Sequence, residues 1–342
     1  MATQSNPNFF PGGFASGLVV KGVPLVQMHP GLVWWVSNNT TVPSIQGGVG
    51  TTTVTQRIPF VGGSDGNPGS WNKPFKTLAY ALTVANPGDI IFIKPNHAET
   101  YSAASALNFA TANIAIVGLG TGSARPTFTL DTAATTNLQI KASNLTFQNL
   151  LFIGNFAAIT TCFNVANAQV AKEVIFDNCE WRDAASNKGF LAAVKVGTTA
   201  NIADGLTVNN CKMFCLAGTN NANQMITLAS VTDRLTITGN YVVSAATSAQ
   251  TPVLVGLGSA LNHTNVLISK NQVVTPTTDS TNGSAVGGSG TMTGLASDNY
   301  IANLDNTASI WIPTGLGLMY VQNFSHITAA ADKNALINPS AV

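Results

Sequence analysis

The sequence predicts an all-β chain, a right-handed parallel β-helix solenoid of about eight coils with a short N-terminal capping helix and an irregular N-terminal anchor segment. Three observations predict it. Seven asparagines, Asn149, Asn178, Asn210, Asn240, Asn271, Asn299 and Asn323, recur at intervals of 29, 32, 30, 31, 28 and 24 residues. Each follows a short apolar run such as Leu145-Thr-Phe147, Val174-Ile-Phe176 or Leu235-Thr-Ile237. A second set of runs, among them Leu138-Gln-Ile140, Cys162-Phe-Asn-Val165, Met225-Ile-Thr-Leu228 and Ile310-Trp-Ile312, falls between them. Self-similarity at this period signals a stacked solenoid, and period-2 alternation with β-branched residues makes the repeating unit a strand.

Residues 1–60 differ in kind. Phe9-Phe-Pro-Gly-Gly-Phe14, Val19-Val-Lys-Gly-Val-Pro-Leu25 and Leu32-Val-Trp-Trp-Val36 are apolar pieces broken by Gly and Pro, without repeat or helical period. Their aromatics need another surface to cover them. Two surfaces qualify, the first coils of the same chain or another protein. In the second case Phe9, Phe10, Phe14, Val23, Leu25, Trp34 and Trp35 are the docking candidates. Residues 37–56, rich in Ser, Thr, Gly and Asn, read as a loop or arm.

The solenoid domain is expected over 61–328. It opens with the turn cluster Ser64-Asp-Gly-Asn-Pro-Gly69 and a helix near 74–86, begun at Pro74, with Phe75, Leu78, Ala79 and Leu82 on one face. An amphipathic helix there covers the open apolar end that every solenoid has. Ile90-Ile-Phe-Ile93 begins the first strand. The asparagines belong in the bend after a strand, because Asn tolerates left-handed dihedrals and bonds neighbouring backbone. Stacked along the axis, their amides can also form a ladder. The gap from apolar run to Asn varies by one residue between copies, so the register is the looser part of this expectation. Residues 329–342 read as a tail with short helical potential.

Charged residues make up only 8% of the 342, against about 25% in ordinary soluble proteins. Thr, Ser, Asn and Gln must therefore supply the surface polarity, as on a rigid extracellular or virion surface. A net charge of +1 gives no electrostatic case for nucleic acid or an anionic membrane. The start Met1-Ala-Thr-Gln-Ser-Asn-Pro7 lacks the basic and apolar regions of a secretory signal, and synthesis in a cytoplasm is expected. Cys162, Cys179, Cys211 and Cys215 lack metal-site spacing. Cys179 and Cys211 each follow a ladder Asn, so they should occupy adjacent coils as stacked thiols, although a disulfide is geometrically conceivable.

Chemistry is sparse. Glycoside hydrolysis needs two carboxylates at a fixed separation, and the densest acidic cluster is Asp177, Glu180 and Asp183, with Trp181 and Arg182. One coil on, the equivalent positions are Asn209, Lys212 and Cys215; one coil back they are Gln148, Leu151 and Gly154. The carboxylates therefore do not stack, nor do several acidic ligands gather as a Ca²⁺-dependent lyase would need. The cluster could still hold a glycan, with Trp181 as a stacking platform; solvated surface charge is the blander assignment. His29, His97, His263 and His326 are dispersed, and no catalytic residue, metal site or cofactor is expected.

The order of turn cluster, cap helix and Gly88-Asp-Ile-Ile-Phe-Ile93 resembles the entry to pectin-lyase-like β-helices. Further, Gly13-Phe-Ala-Ser-Gly17, Lys21-Gly-Val-Pro-Leu25, Met28-His-Pro-Gly31, Pro74-Phe-Lys-Thr77, His97-Ala-Glu-Thr100, Val117-Gly-Leu-Gly120 and Cys179-Glu-Trp-Arg-Asp183 resemble a family of tailed-bacteriophage virion proteins, commonly encoded near the major capsid protein. The resemblance covers most of the first 190 residues. It implies a structural capsid decoration or head-spike protein rather than an enzyme, located on the outer surface of the phage head. It also implies a homotrimer whose partners are the major capsid protein or other virion proteins. The alternative is a tailspike-like protein that binds or cleaves a host surface polysaccharide.

Overall fold

The structure, a computed structural model, describes residues 19–20, 23–24, 31–38, 62–218, 224–246, 254–258, 261–275, 285–288, 290–303, 317–327 and 335–337. It is a parallel β-helix. Among the described residues the coils contribute strands to three sheets, and strands of successive coils pair in parallel. Among the described residues the first sheet holds ten strands, from Val33–Val36 to Leu318–Val321. At the usual inter-strand spacing that is a stack of roughly 45 Å.

Alternation explains the core. In the first sheet the middle residue of each strand points inward, giving the column Ile91, Ile116, Phe147, Phe176, Val208, Ile237 and Ile268, all fully buried. The second sheet adds Phe128, Phe152, Trp181, Met213 and Val242. Rings stack along these columns, Phe147 on Phe176 at 4.9 Å and Phe152 on Trp181 at 5.9 Å between centroids. Each fully buried Val, Leu, Ile or Phe contributes roughly 1.5–3 kcal/mol, so the stack gains stability coil by coil.

The two runs per coil seen in the sequence are the first and third sheets. The second-sheet strands, such as Leu151–Gly154 and Glu180–Asp183, start two residues after a bend with no Gly or Pro to set them apart. The run Ile310-Trp-Ile312 lies outside the described residues.

Three expectations need correction. The irregular segment 1–60 is not irregular throughout: Val33–Val36 pairs in parallel with Ile90–Ile93 and is the first strand of the first sheet. Trp35 stacks on Phe92 at 4.9 Å and meets Trp71 edge-on at 4.6 Å, forming a small outer cluster with Ile90, Ala115, Val117 and Leu119. The helix spans Leu78–Val84 rather than starting at Pro74, because its first-turn donors are fixed from Thr77 onward. Thr77 Oγ1 accepts the Tyr80 N–H, and Glu99 Oε1 accepts that of Leu78. Asp65, in the turn the sequence predicts, also accepts the backbone N–H of Lys76 and Thr77. In the tail, Ala335–Ile337 pairs antiparallel with Asn323–Ile327 instead of turning helical.

Candidate functional site

The seven asparagines form two columns, one residue out of step. Asn149, Asn178 and Asn210 sit in the bend itself, with φ of 56°, 51° and 51°. From the next coil on, that left-handed position belongs to Gly239, Lys270, Asp298 and Gln322. Asn240, Asn271, Asn299 and Asn323 occupy the following position, buried, in line with Cys211 and Cys179. Their amides bond head to tail at 2.8–2.9 Å and each donates to a first-sheet carbonyl, Asn271 to Ile237 O at 2.9 Å for example. The ladder is scaffold, not surface.

The acidic cluster keeps the register read from the sequence, with Gln148, Asp177 and Asn209 in one row and Leu151, Glu180 and Lys212 in another. Asp177 lies on the outer face of the first sheet and accepts the amides of Gln148 at 2.9 Å and Asn209 at 3.2 Å. Glu180 is buried between two guanidinium groups, bonded to Arg125 Nη2 and Arg182 Nε. Burial pushes its carboxyl up, but the bonds and charges of Arg182 and Arg125 outweigh that and hold it below the ordinary range. Asp183 accepts the Leu216 N–H at 2.9 Å. Burial raises its carboxyl to about 7, against the opposing pull of the Leu216 and Phe190 N–H groups.

Trp181 is no platform. It is 1% exposed and packs inside the helix against Phe152 and Phe176. In Glu180-Trp-Arg-Asp183 it alternates with the two flanking charges and so takes the opposite face. The outward aromatics lie one and two coils further on. Phe214 pairs with Arg182, and Tyr241 pairs with Lys212, on neighbouring strands of the second sheet. The two rings meet edge-on at 5.8 Å and belong to neither hydrophobic cluster. Lys212 is exposed, and 46% of the Arg182 side chain is exposed while its Nε is held on Glu180. Spacing alone missed this patch, because Phe214 and Tyr241 lie on second-sheet strands, outside the two apolar runs per coil that the sequence marks.

Of the docking candidates, Phe9, Phe10, Phe14 and Leu25 lie outside the described residues, and Val23 is seen as backbone paired with Val20. Trp34 donates its indole N–H to Asp89 Oδ2 at 2.8 Å, so both tryptophans serve the solenoid's own first coils. Another polar cluster marks the bend into the first sheet. There Lys172 bonds Asp204 at 2.8 Å, and Glu173 reaches across Gly205 to Arg234 at 2.5 Å. The four cysteines are buried and unbridged. Among the described residues no group of three or more His, Cys, Asp or Glu side chains could hold a metal, and no helix is long and apolar enough to cross a membrane.

No family model matches the chain, and no curated protein matches it. Solved structures do. It is similar to pectate lyase Pel9A, at 11% identity over 88% of this chain and 78% of that one, with a TM-score of 0.42. It is similar to a rhamnogalacturonan lyase at 14% identity, over 89% and 86% of the two chains, with a TM-score of 0.35. It is also similar to ORF18 of Geobacillus virus E2 at 9% identity, over 75% and 58%, with a TM-score of 0.35. At these identities the likeness is one of fold. It corrects one expectation: the neighbours include lyases, so the exclusion of enzymatic activity drawn from the sequence is withdrawn.

Proposed function

We propose that the chain is a β-helical surface protein of a tailed-phage particle, a head decoration or spike protein whose N-terminal segment docks on the capsid and whose solenoid projects as a stiff rod. The observation that carries this reading is where the solenoid begins. Among the described residues its first strand is Val33–Val36, and the thirty residues ahead of Gly31, with Phe9, Phe10, Phe14, Val23 and Leu25, come before that strand in sequence. The sequence resemblance to virion proteins includes this same segment. A homotrimer on the outer surface of the head belongs to the reading.

Co-sedimentation with capsid shells lacking the protein tests it. The full chain should bind saturably, and a chain beginning at Gly31 should fold but not bind. Undiminished binding by the shortened chain overturns the docking assignment. The cut stops at Gly31 because Val33 and Trp35 pair with Ile90 and Phe92, and a longer deletion would unpair them.

A second reading is supported by the outward Phe214–Tyr241 pair beside Arg182 and Lys212. It has the rod engaging a host surface polysaccharide, by binding or by cleavage. Sugar release from host capsule or lipopolysaccharide, or retention on it, tests this reading.

A further inference from the structure

We infer that the outward patch of Arg182, Lys212, Phe214 and Tyr241 on the second sheet binds a saccharide bearing a carboxylate, an inference that rests on the polysaccharide-engaging reading above. The sheet's alternation fixes which side chains face out. Trp181, Met213, Val242 and Cys215 are buried, while Lys212 and Arg182 are exposed and Phe214 and Tyr241 half-buried. An aromatic pair left outside the core on a regular sheet face offers a flat apolar surface to the C–H face of a pyranose.

Charge selects the saccharide. The chain has only 15 Lys and Arg against 14 Asp and Glu in 342 residues. Yet Arg125, Arg182 and Lys212 gather around one carboxylate, Glu180, whose two oxygens are taken by Arg125 and Arg182. Counting Asp183, the other carboxylate on that strand, three cations stand against two anions, and the patch stays positive. The Nε bond to Glu180 also fixes the direction of the Arg182 guanidinium, and a fixed fork suits a carboxylate better than a mobile one. A second copy of this chain is a poorer occupant. Like-with-like packing of this face would bring Arg182 and Lys212 towards their own equivalents.

The test titrates the full chain with a hyaluronan hexasaccharide, which carries glucuronate, and with maltohexaose as the neutral control, by calorimetry. The charged sugar should bind and weaken as salt rises, and maltohexaose should not. Lys212→Gln and Phe214→Ser, both at outward positions, should each weaken binding about tenfold with unchanged unfolding midpoints. Equal binding of the two sugars, reduced by Phe214→Ser alone, overturns the acidic-ligand inference and leaves the polysaccharide reading standing. Binding of the charged sugar unaffected by either variant overturns the site. No binding of either sugar overturns the inference, and if host polysaccharide is also neither retained nor cut, the broader reading falls with it.

Discussion

The backbone N–H of Cys211 donates to Asn240 Oδ1 at 2.8 Å, and at this contact a column of thiols becomes a column of amides. Below it, Cys179 Sγ and Cys211 Sγ lie 3.4 and 3.5 Å from the carbonyls of Phe147 and Phe176. Above it, Asn240 Nδ2 donates to Val208 O at 2.9 Å, the same carbonyl row one coil on. Either side chain serves a buried backbone acceptor, but the amide also accepts the N–H of the coil before it at full strength. Replacing Asn271 by Ala should therefore cost about 3 kcal/mol in urea unfolding, because buried partners on both sides lose their bonds. Replacing Asn178, which is exposed in the bend, should cost only about 1 kcal/mol, the strain of alanine in a left-handed bend. Equal losses at the two sites would refute the division into two columns.

That division marks the limit of what the sequence disclosed. Interval and alternation are enough to identify the solenoid, since a coil cannot close without a bend at a fixed period. They do not distinguish an Asn in the bend from one just after it, because both follow an apolar strand by a few residues. The residue before Asn240 is Gly239, at a φ of 68°, and that glycine was the available clue. Val33–Val36 escaped because its partner, Ile90–Ile93, lies more than fifty residues on, past a long polar stretch that breaks the period. The acidic row was legible; the side to which Trp181 pointed was legible too, from Phe152 a coil earlier, but its charged neighbours suggested a surface.

Trp181 should accordingly behave as a core residue. Its replacement by Ala removes the ring packed on Phe152 and Phe176 and should cost about 3–5 kcal/mol. Trp181→Phe, which keeps a ring in the column, should recover most of this loss and leave glycan binding unchanged. If Trp181→Phe instead abolished binding in a fully folded protein, the indole would have to be reached by the ligand.

Asp183 makes the fold less stable as pH rises from acid to neutral. Its carboxyl titrates near 3.8 when free and about 7 in the folded chain. Between those values the folded state holds the extra proton, so stability falls as pH rises from about 4 to 7, and the penalty is complete above 7. Asp183→Asn keeps an oxygen for the Leu216 N–H and cannot ionise. The variant should melt higher than the parent at pH 8 and match it at pH 4. A shift of the same size at both pH values would mean that packing, not ionisation, sets the difference.

His263 should impose the opposite slope over nearly the same window. Its Nδ1 accepts the Thr232 N–H at 3.2 Å, and its Nε2 is buried with no hydrogen-bond partner among the described residues. Burial lowers the imidazole from 6.5 to about 4. Between those values the unfolded state binds the extra proton, so this contribution is whole above 6.5 and is lost as pH falls towards 4. The parent chain can thus show a flat melting profile from pH 4 to 7 although two buried groups titrate beneath it. His263→Asn, whose Oδ1 replaces Nδ1 as the acceptor, should remove the acid-side loss and expose the Asp183 slope. Its melting temperature should then fall steadily from pH 4 to 7, while Asp183→Asn should rise over the same interval. A profile that stays flat in both variants would show that neither group is held out of water as the packing of these coils requires.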